Sequence, residues 1–237
     1  MAEKGIFIVI DGTDGAGKST QLEKLQGRLK RNKVHVKSIH FPQHGKPSAY
    51  FIDQYLNGKY GARGEDGINV QAVSLLFALD RFDATQKIVQ ELGRGNVVIA
   101  DRYTSSNMGH QGAKLRTKGE RKKYFKWIDT IEFKTFRIVR PTITIVLHMP
   151  AAIATTLIER KGVRAYVGGK KKDILEADLE HLQKAERVYI EIATLFPEYY
   201  KVVECVEGER LLSVDEIHER IWSVVAPLLN DVKSLNL

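Results

Sequence analysis

Gly12-Thr13-Asp14-Gly15-Ala16-Gly17-Lys18-Ser19-Thr20 fits the pattern G-x-x-x-x-G-K-[ST], with an apolar run before it and a helical period after it. Glycines let such a backbone curl until successive N–H groups converge on phosphate oxygens, and the helix that follows adds its positive end. Lys18 supplies a point charge near the β- and γ-phosphates of a bound nucleotide such as ATP, and Ser19 is placed to ligate its Mg²⁺. A glycine-rich turn without a ligand would account for Gly12, Gly15 and Gly17 but not for Lys18-Ser19. The motif identifies a triphosphate site and leaves the reaction open.

Two further groups could hold an acceptor. Asp101-Arg102-Tyr103 closes an apolar run and leads into Thr104-Ser105-Ser106-Asn107-Met108-Gly109-His110-Gln111-Gly112. If the run is a parallel strand, its carboxyl end faces the ligand crevice. There Asp101 can polarise or water-bridge Mg²⁺, and Arg102 can grip phosphoryl oxygens in a fork that lysine cannot make. A strand-end salt bridge is the simpler alternative. Phe77 and Arg81 stand four apart in a long helical pattern, so ring and guanidinium share a face that suits a pyrimidine. A core phenylalanine beside a surface arginine would give the same spacing.

The elements that must position these groups are legible as alternating periods. Apolar runs at 6–11, 34–41, 96–101, 142–148 and 201–206 predict strands rich in Val and Ile, covered on both faces. Helical periods fall between them. Residues 18–30 carry Leu22, Leu25 and Leu29; residues 70–92 carry Val73, Leu76, Phe77, Leu79, Ile88 and Leu92 as a core-facing stripe. Pro150-Ala151-Ala152 opens another helix, and 215–229 closes the series with Ile217, Ile221, Val224 and Val225. The polar, glycine-containing stretches 58–67 and 162–172 read as loops over a site. This alternation predicts one α/β domain with a parallel sheet.

Composition narrows the function classes. The chain has 237 residues, 43% hydrophobic and 28% charged, with 19 glycines and 6 prolines, which excludes a collagenous, disordered or membrane-spanning protein. The single cysteine, Cys205, lies in an apolar run and reads as a buried hydrophobe; no disulfide is expected. The short apolar run after Gly5 does not have the form of a signal peptide, and a cytoplasmic location is expected. The net charge of +8 and the basic segment 114–126 raise a nucleic-acid reading, but Glu120, Tyr124, Phe125 and Trp127 interrupt it. A solvated helix face, or a field that gathers polyphosphates, explains the same charge.

Taken together, the glycine-rich loop, Phe41-Pro42, Leu76-Phe77-Ala78-Leu79-Asp80-Arg81 and Asp101-Arg102-Tyr103 with Gln111-Gly112 resemble thymidylate kinases, in the family's order and spacing. GTPase signals such as N-K-x-D are missing. The resemblance, to the bacterial type, implies a three-layer α/β/α P-loop kinase fold with a five-stranded parallel sheet. It also implies a single domain over 1–237, a lid at about 160–175, and conversion of dTMP and ATP to dTDP and ADP with Mg²⁺. Phe77 would then stack on thymine and Arg81 would bond its O4, with Phe41 as a second base-contacting aromatic or simply a packing residue. Asp14 would hold the sugar 3′-hydroxyl near Mg²⁺, and Ser106, Asn107 and Gln111 would meet sugar and base. Because Gly15-Ala16 carries no arginine, the transition-state cation would come from the lid, with Arg160 and Arg164 as candidates. A homodimer involving 70–92 or its neighbours is implied as well.

Three positions depart from the family's pattern. Gln43-His44-Gly45-Lys46 follows Phe41-Pro42 where an arginine often binds the acceptor phosphate, and Lys46 is the possible substitute. His110 stands where a tyrosine commonly blocks a ribose 2′-hydroxyl, and 114–126 has no counterpart. Two alternatives therefore accompany dTMP kinase: a kinase for dUMP or a ribonucleotide, and a P-loop ATPase stimulated by nucleic acid.

Overall fold

The computed structural model describes residues 5–60, 68–161 and 179–234. Five parallel strands form one sheet: β1 (Ile6–Gly12), β2 (Val36–His40), β3 (Val97–Asp101), β4 (Ile143–His148) and β5 (Tyr200–Glu204). Their order is β2-β3-β1-β4-β5. The helices between them are α1 (Lys18–Arg31), α2 (Tyr50–Leu56), α3 (Val70–Gly93), α4 (Thr104–Gly112), α5 (Lys118–Asp129), α6 (Ala151–Lys161), α7 (Leu179–Leu195) and α8 (Val214–Ser234).

Side chains alternate across a strand, so each face of β1 meets a different layer. Ile6, Ile8 and Ile10 pack with Leu22, Leu25 and Leu29 of α1 and with Ile217, Ile221 and Val225 of α8. Phe7 and Val9 pack on the other face with Ala84, Ile88 and Leu92 of α3. A second cluster on α4, α5 and α7, including Met108, Phe125 and Tyr189, joins Val146 of β4. Burial on both faces is why these strands read as continuous apolar runs rather than alternating ones.

Three expectations need correction. Strands β2 and β5 are the two edge strands rather than central ones, and β2 is largely exposed between Lys37 and His40. The run 201–206 does not stay in the sheet: β5 ends at Glu204, and β6 (Val206–Glu207) turns into an antiparallel hairpin with β7 (Arg210–Leu211). Leu79 is not in the core; it is exposed on α3 together with Phe82 and Val89, while Val73, Ile88 and Leu92 are buried. Cys205 is buried, as expected, and burial pushes its thiol up to about 12, which makes it unreactive.

Strand order locates the crevice. Chains leaving β1 and β3 run to opposite sides of the sheet, and ligands in open α/β sheets bind where such connections diverge. The register sets Ile10 beside Asp101, so the loop after β1 and the polar run after β3 begin side by side. Among the described residues no helix is long and apolar enough to cross a membrane.

Candidate active site

The glycine-rich loop takes the shape its composition requires. Gly15 and Gly17 have φ of 83° and 86°, in the left-handed region that L side chains avoid, and Gly17 immediately precedes α1. A Cβ on Gly15 would also lie 2.4 Å from the Ala154 carbonyl oxygen, so α6 packs against the loop as closely as a glycine permits. Lys18 folds back over the loop, and its Nζ donates to the Gly12 and Thr13 carbonyls at 3.1 and 2.8 Å. Burial, with Arg102 nearby, lowers its pKa to about 8. Thr13 Oγ1 is buried and has no hydrogen-bond partner among the described residues.

Arg102 links this loop to the acceptor side. Its backbone has φ of 66°, rare and strained for a residue with a side chain, and is held there by its N–H donating to the Ile10 carbonyl at 3.0 Å. Its Nη2 pairs with the Asp14 carboxylate, while Nη1 lies 3.4 Å from Ser106 Oγ and 3.2 Å from His110 Nε2. Burial drives the His110 pKa well below its ordinary value, so a neutral ring accepts this hydrogen bond. His110 also stacks on His181 of α7, with centroids 5.7 Å apart.

Asp101 and Ser19 form the feature that fits Mg²⁺. Ser19 Oγ donates to Asp101 Oδ2 at 3.2 Å, while Oδ1 is buried and has no partner among the described residues. Burial would raise the Asp101 pKa, but the hydrogen bond from His40 and the charges of Lys18 and Arg102 outweigh it and keep the carboxyl ionised. A hydroxyl and a carboxylate beside a triphosphate cradle are the oxygen donors magnesium takes. Asp14, the third metal candidate, instead turns its carboxylate to Arg102 and, at 3.8 Å, to Lys18.

On the base side, Phe77 is half-buried on α3, edge-on to Tyr55 at 6.3 Å. Arg81 is fully buried rather than on the surface, and its Nε and Nη2 bond the Glu132 carboxylate at 2.8 and 2.5 Å. Asn107 Nδ2 donates to the Ser74 carbonyl at 3.0 Å, and Gln111 Oε1 is buried with no partner among the described residues. Phe41 is buried with its ring edge-on to Tyr103. Lys46 bonds the Gln43 side chain, which is itself tied to Asp80 by its amide at 3.1 Å. The Arg160 side chain and all of Arg164 lie outside the described residues, as does most of the expected lid.

The chain matches the family model for thymidylate kinase over residues 10–221. It belongs to the thymidylate kinase family. It is 36% identical over 190 residues to the thymidylate kinase of Mycobacterium tuberculosis, covering 79% of this chain and 86% of that protein. The Dictyostelium discoideum thymidylate kinase is 27% identical over 94% of this chain and 86% of its own length. A probable thymidylate kinase of Thermococcus kodakarensis is 29% identical over 95% and 100% respectively. Membership makes the chain an ATP-dependent nucleoside monophosphate kinase, a phosphotransferase.

Within this family member, two carboxylates central to the site escaped reading from sequence. Asp11, at the end of β1, is buried and accepts hydrogen bonds from Ser105, from Ser106 at 2.8 Å, from Tyr189 at 2.9 Å and from the Gly12 N–H at 2.8 Å. It pins α4 and α7 to the root of the phosphate loop. Its signal was present: an acid closing an all-apolar strand is costly unless paired. Glu132 offered no such signal. The basic segment resolves into the amphipathic α5, whose Thr117 and Glu120 form a capping box and whose Tyr124, Phe125 and Ile128 face the core.

Proposed function

We propose that the chain transfers the γ-phosphoryl group of ATP to dTMP, in a crevice walled by the glycine-rich loop on one side and by α3 and α4 on the other. The observation that carries this reading is Arg102, which touches Asp14 of the loop and lies beside Ser106 and His110 of α4. A cation so placed can grip an acceptor phosphate and face the donor at once. The attacking oxygen belongs to a phosphate that is already anionic, so no general base is required. The chain's part is to align the two phosphates and neutralise charge as it builds, through Lys18 and Arg102 and through a lid cation, Arg160 or Arg164. Ser19 and Asp101 would hold Mg²⁺, which when bound offsets charge on the triphosphate oxygens. Asp14 would face the sugar 3′-hydroxyl, Ser106 and Gln111 the sugar and base, and Phe77, Arg81 and Asn107 the thymine.

We take 1–237 as one domain with a lid at about 160–175, working in the cytoplasm. A homodimer through α3 is supported by Leu79, Phe82 and Val89, three large apolar side chains about half exposed along that helix. The deciding experiment is a coupled ADP-release assay with ATP and Mg²⁺ across dTMP, dUMP, UMP and CMP. Turnover of dTMP well above the others is expected; equal or greater turnover of another monophosphate would overturn the assignment.

A further inference from the structure

Glu132 is fully buried and lies in a π-helical turn, Thr130–Thr135, that follows α5. Wide turns of this kind often mark functional positions, because they aim one side chain away from the helical repeat. Four donors from two other elements converge on its two oxygens. Oε1 accepts from Arg81 Nη2 at 2.5 Å and from Asn107 Nδ2 at 3.3 Å; Oε2 accepts from Arg81 Nε at 2.8 Å and from Thr104 Oγ1 at 2.6 Å. A buried carboxylate is costly, and this one is fully coordinated without any group of the phosphate site.

The coordination has a directional consequence. Arg81 is held side-on through Nε and Nη2, so among the described residues Nη1 is the one nitrogen without an ionic partner; it approaches the Tyr103 carbonyl at 3.5 Å. Asn107 faces two acceptors, Glu132 Oε1 and the Ser74 carbonyl, which fixes its amide nitrogen toward them and leaves Oδ1 as the end turned away from both. The pair therefore offers a donor from Arg81 and an acceptor from Asn107. A 4-oxo pyrimidine presents the complement, an acceptor at O4 and a donor at N3–H. A 4-amino pyrimidine presents the reverse.

Resting on the dTMP kinase reading, we propose that Glu132 is a positioning residue that sets the hydrogen-bond polarity of the base pocket and thereby selects 4-oxo over 4-amino pyrimidines. It touches no substrate itself. Replacing its carboxylate with an amide introduces a donor, which frees Asn107 to turn over and loosens Arg81.

The test compares wild type with Glu132→Gln on dTMP, dCMP and 5-methyl-dCMP, the last differing from dTMP only in the 4-position and its N3 partner. In wild type, kcat/KM for dTMP should exceed that for 5-methyl-dCMP by at least about 100-fold, since a site built to bond one edge rejects its inverse strongly. In Glu132→Gln the KM for dTMP should rise about tenfold or more and the dTMP to 5-methyl-dCMP ratio fall by at least about tenfold, with the KM for ATP within about twofold of wild type. A variant that is less stable but keeps the ratio would show a merely structural carboxylate and overturn the proposal. If Glu132→Gln does not fold, the wild-type ratio decides: acceptance of 5-methyl-dCMP within about tenfold of dTMP overturns the inference. Wild type that turns over no dTMP would overturn the kinase reading instead, and a dTMP-active enzyme with an unmoved ratio only the role of Glu132.

Discussion

Arg102 and Asp14 form an ion pair that joins the end of β3 to the phosphate loop after β1. Each thus neutralises the other, and the aspartate holds the guanidinium against the glycine-rich loop. On the proposed reading, an acceptor phosphate would compete with Asp14 for Arg102.

Arg102 combines the side chain proposed to grip phosphate with a strained backbone, and the two can be separated. Arg102→Ala and Arg102→Gly should both lower kcat/KM for dTMP by about 10³, the loss of one phosphoryl-gripping cation. Glycine tolerates φ of 66° where alanine does not, so Arg102→Gly should be more stable than Arg102→Ala by about 1 kcal/mol in denaturant melts. Equal stability would mean the backbone relaxes when the guanidinium leaves.

Lys18 makes ATP binding depend on pH in the alkaline range. Its pKa in the free chain is about 8, against an ordinary 10.5, because burial disfavours the ammonium. A bound triphosphate restores the charge, so binding takes up a proton at and above pH 8. The KM for ATP should rise about tenfold from pH 7 to pH 9, and calorimetry in buffers of different ionisation enthalpy should detect the proton. The sign for stability is opposite: the unfolded chain keeps this proton longer, so the free protein gains stability from this group as pH rises from 8 toward 10.5. A flat KM would remove Lys18 from the triphosphate site.

Gly109 is a close approach rather than a turn. A Cβ there would lie 2.6 Å from the Tyr189 ring, whose hydroxyl anchors Asp11 at 2.9 Å. Gly109→Ala should destabilise the protein by about 1–3 kcal/mol, the usual cost of overpacking, and lower activity by disturbing that anchor. Unchanged thermal melting would show that α4 and α7 can separate freely.

The exposed apolar row on α3 predicts the assembly. Phe82→Asp and Leu79→Asp should convert a dimer to monomers in sedimentation experiments, since a desolvated charge opposes a buried helix face. A wild-type chain that sediments as a monomer would exclude the dimer directly.

Asp101 and Ser19 predict the metal dependence. Asp101→Asn should raise the Mg²⁺ concentration for half-maximal activity at least about tenfold while dTMP affinity stays near wild type. No change would place the ion elsewhere along the triphosphate.

Local spacing carried much of this in the linear chain. A loop of adjacent residues, Gly12 to Thr20, needs no distant partner to declare a phosphate cradle, and Phe77 with Arg81 share a helix face because four residues make about one turn. The runs of β1, β3 and β4 declared a sheet because strands covered on both faces must be apolar throughout. What depended on the sheet order could not be read that way. Pairing decided that β2 is an edge and that Leu79 looks outward, because exposure depends on which elements arrive beside a strand or helix. Glu132 is the sharpest case: 51 residues separate it from Arg81, and nothing around Ile131 or Phe133 says that a buried guanidinium waits there. Such a contact is written only by the folded chain, since a carboxylate's partner is whatever cation the packing of other helices delivers to it.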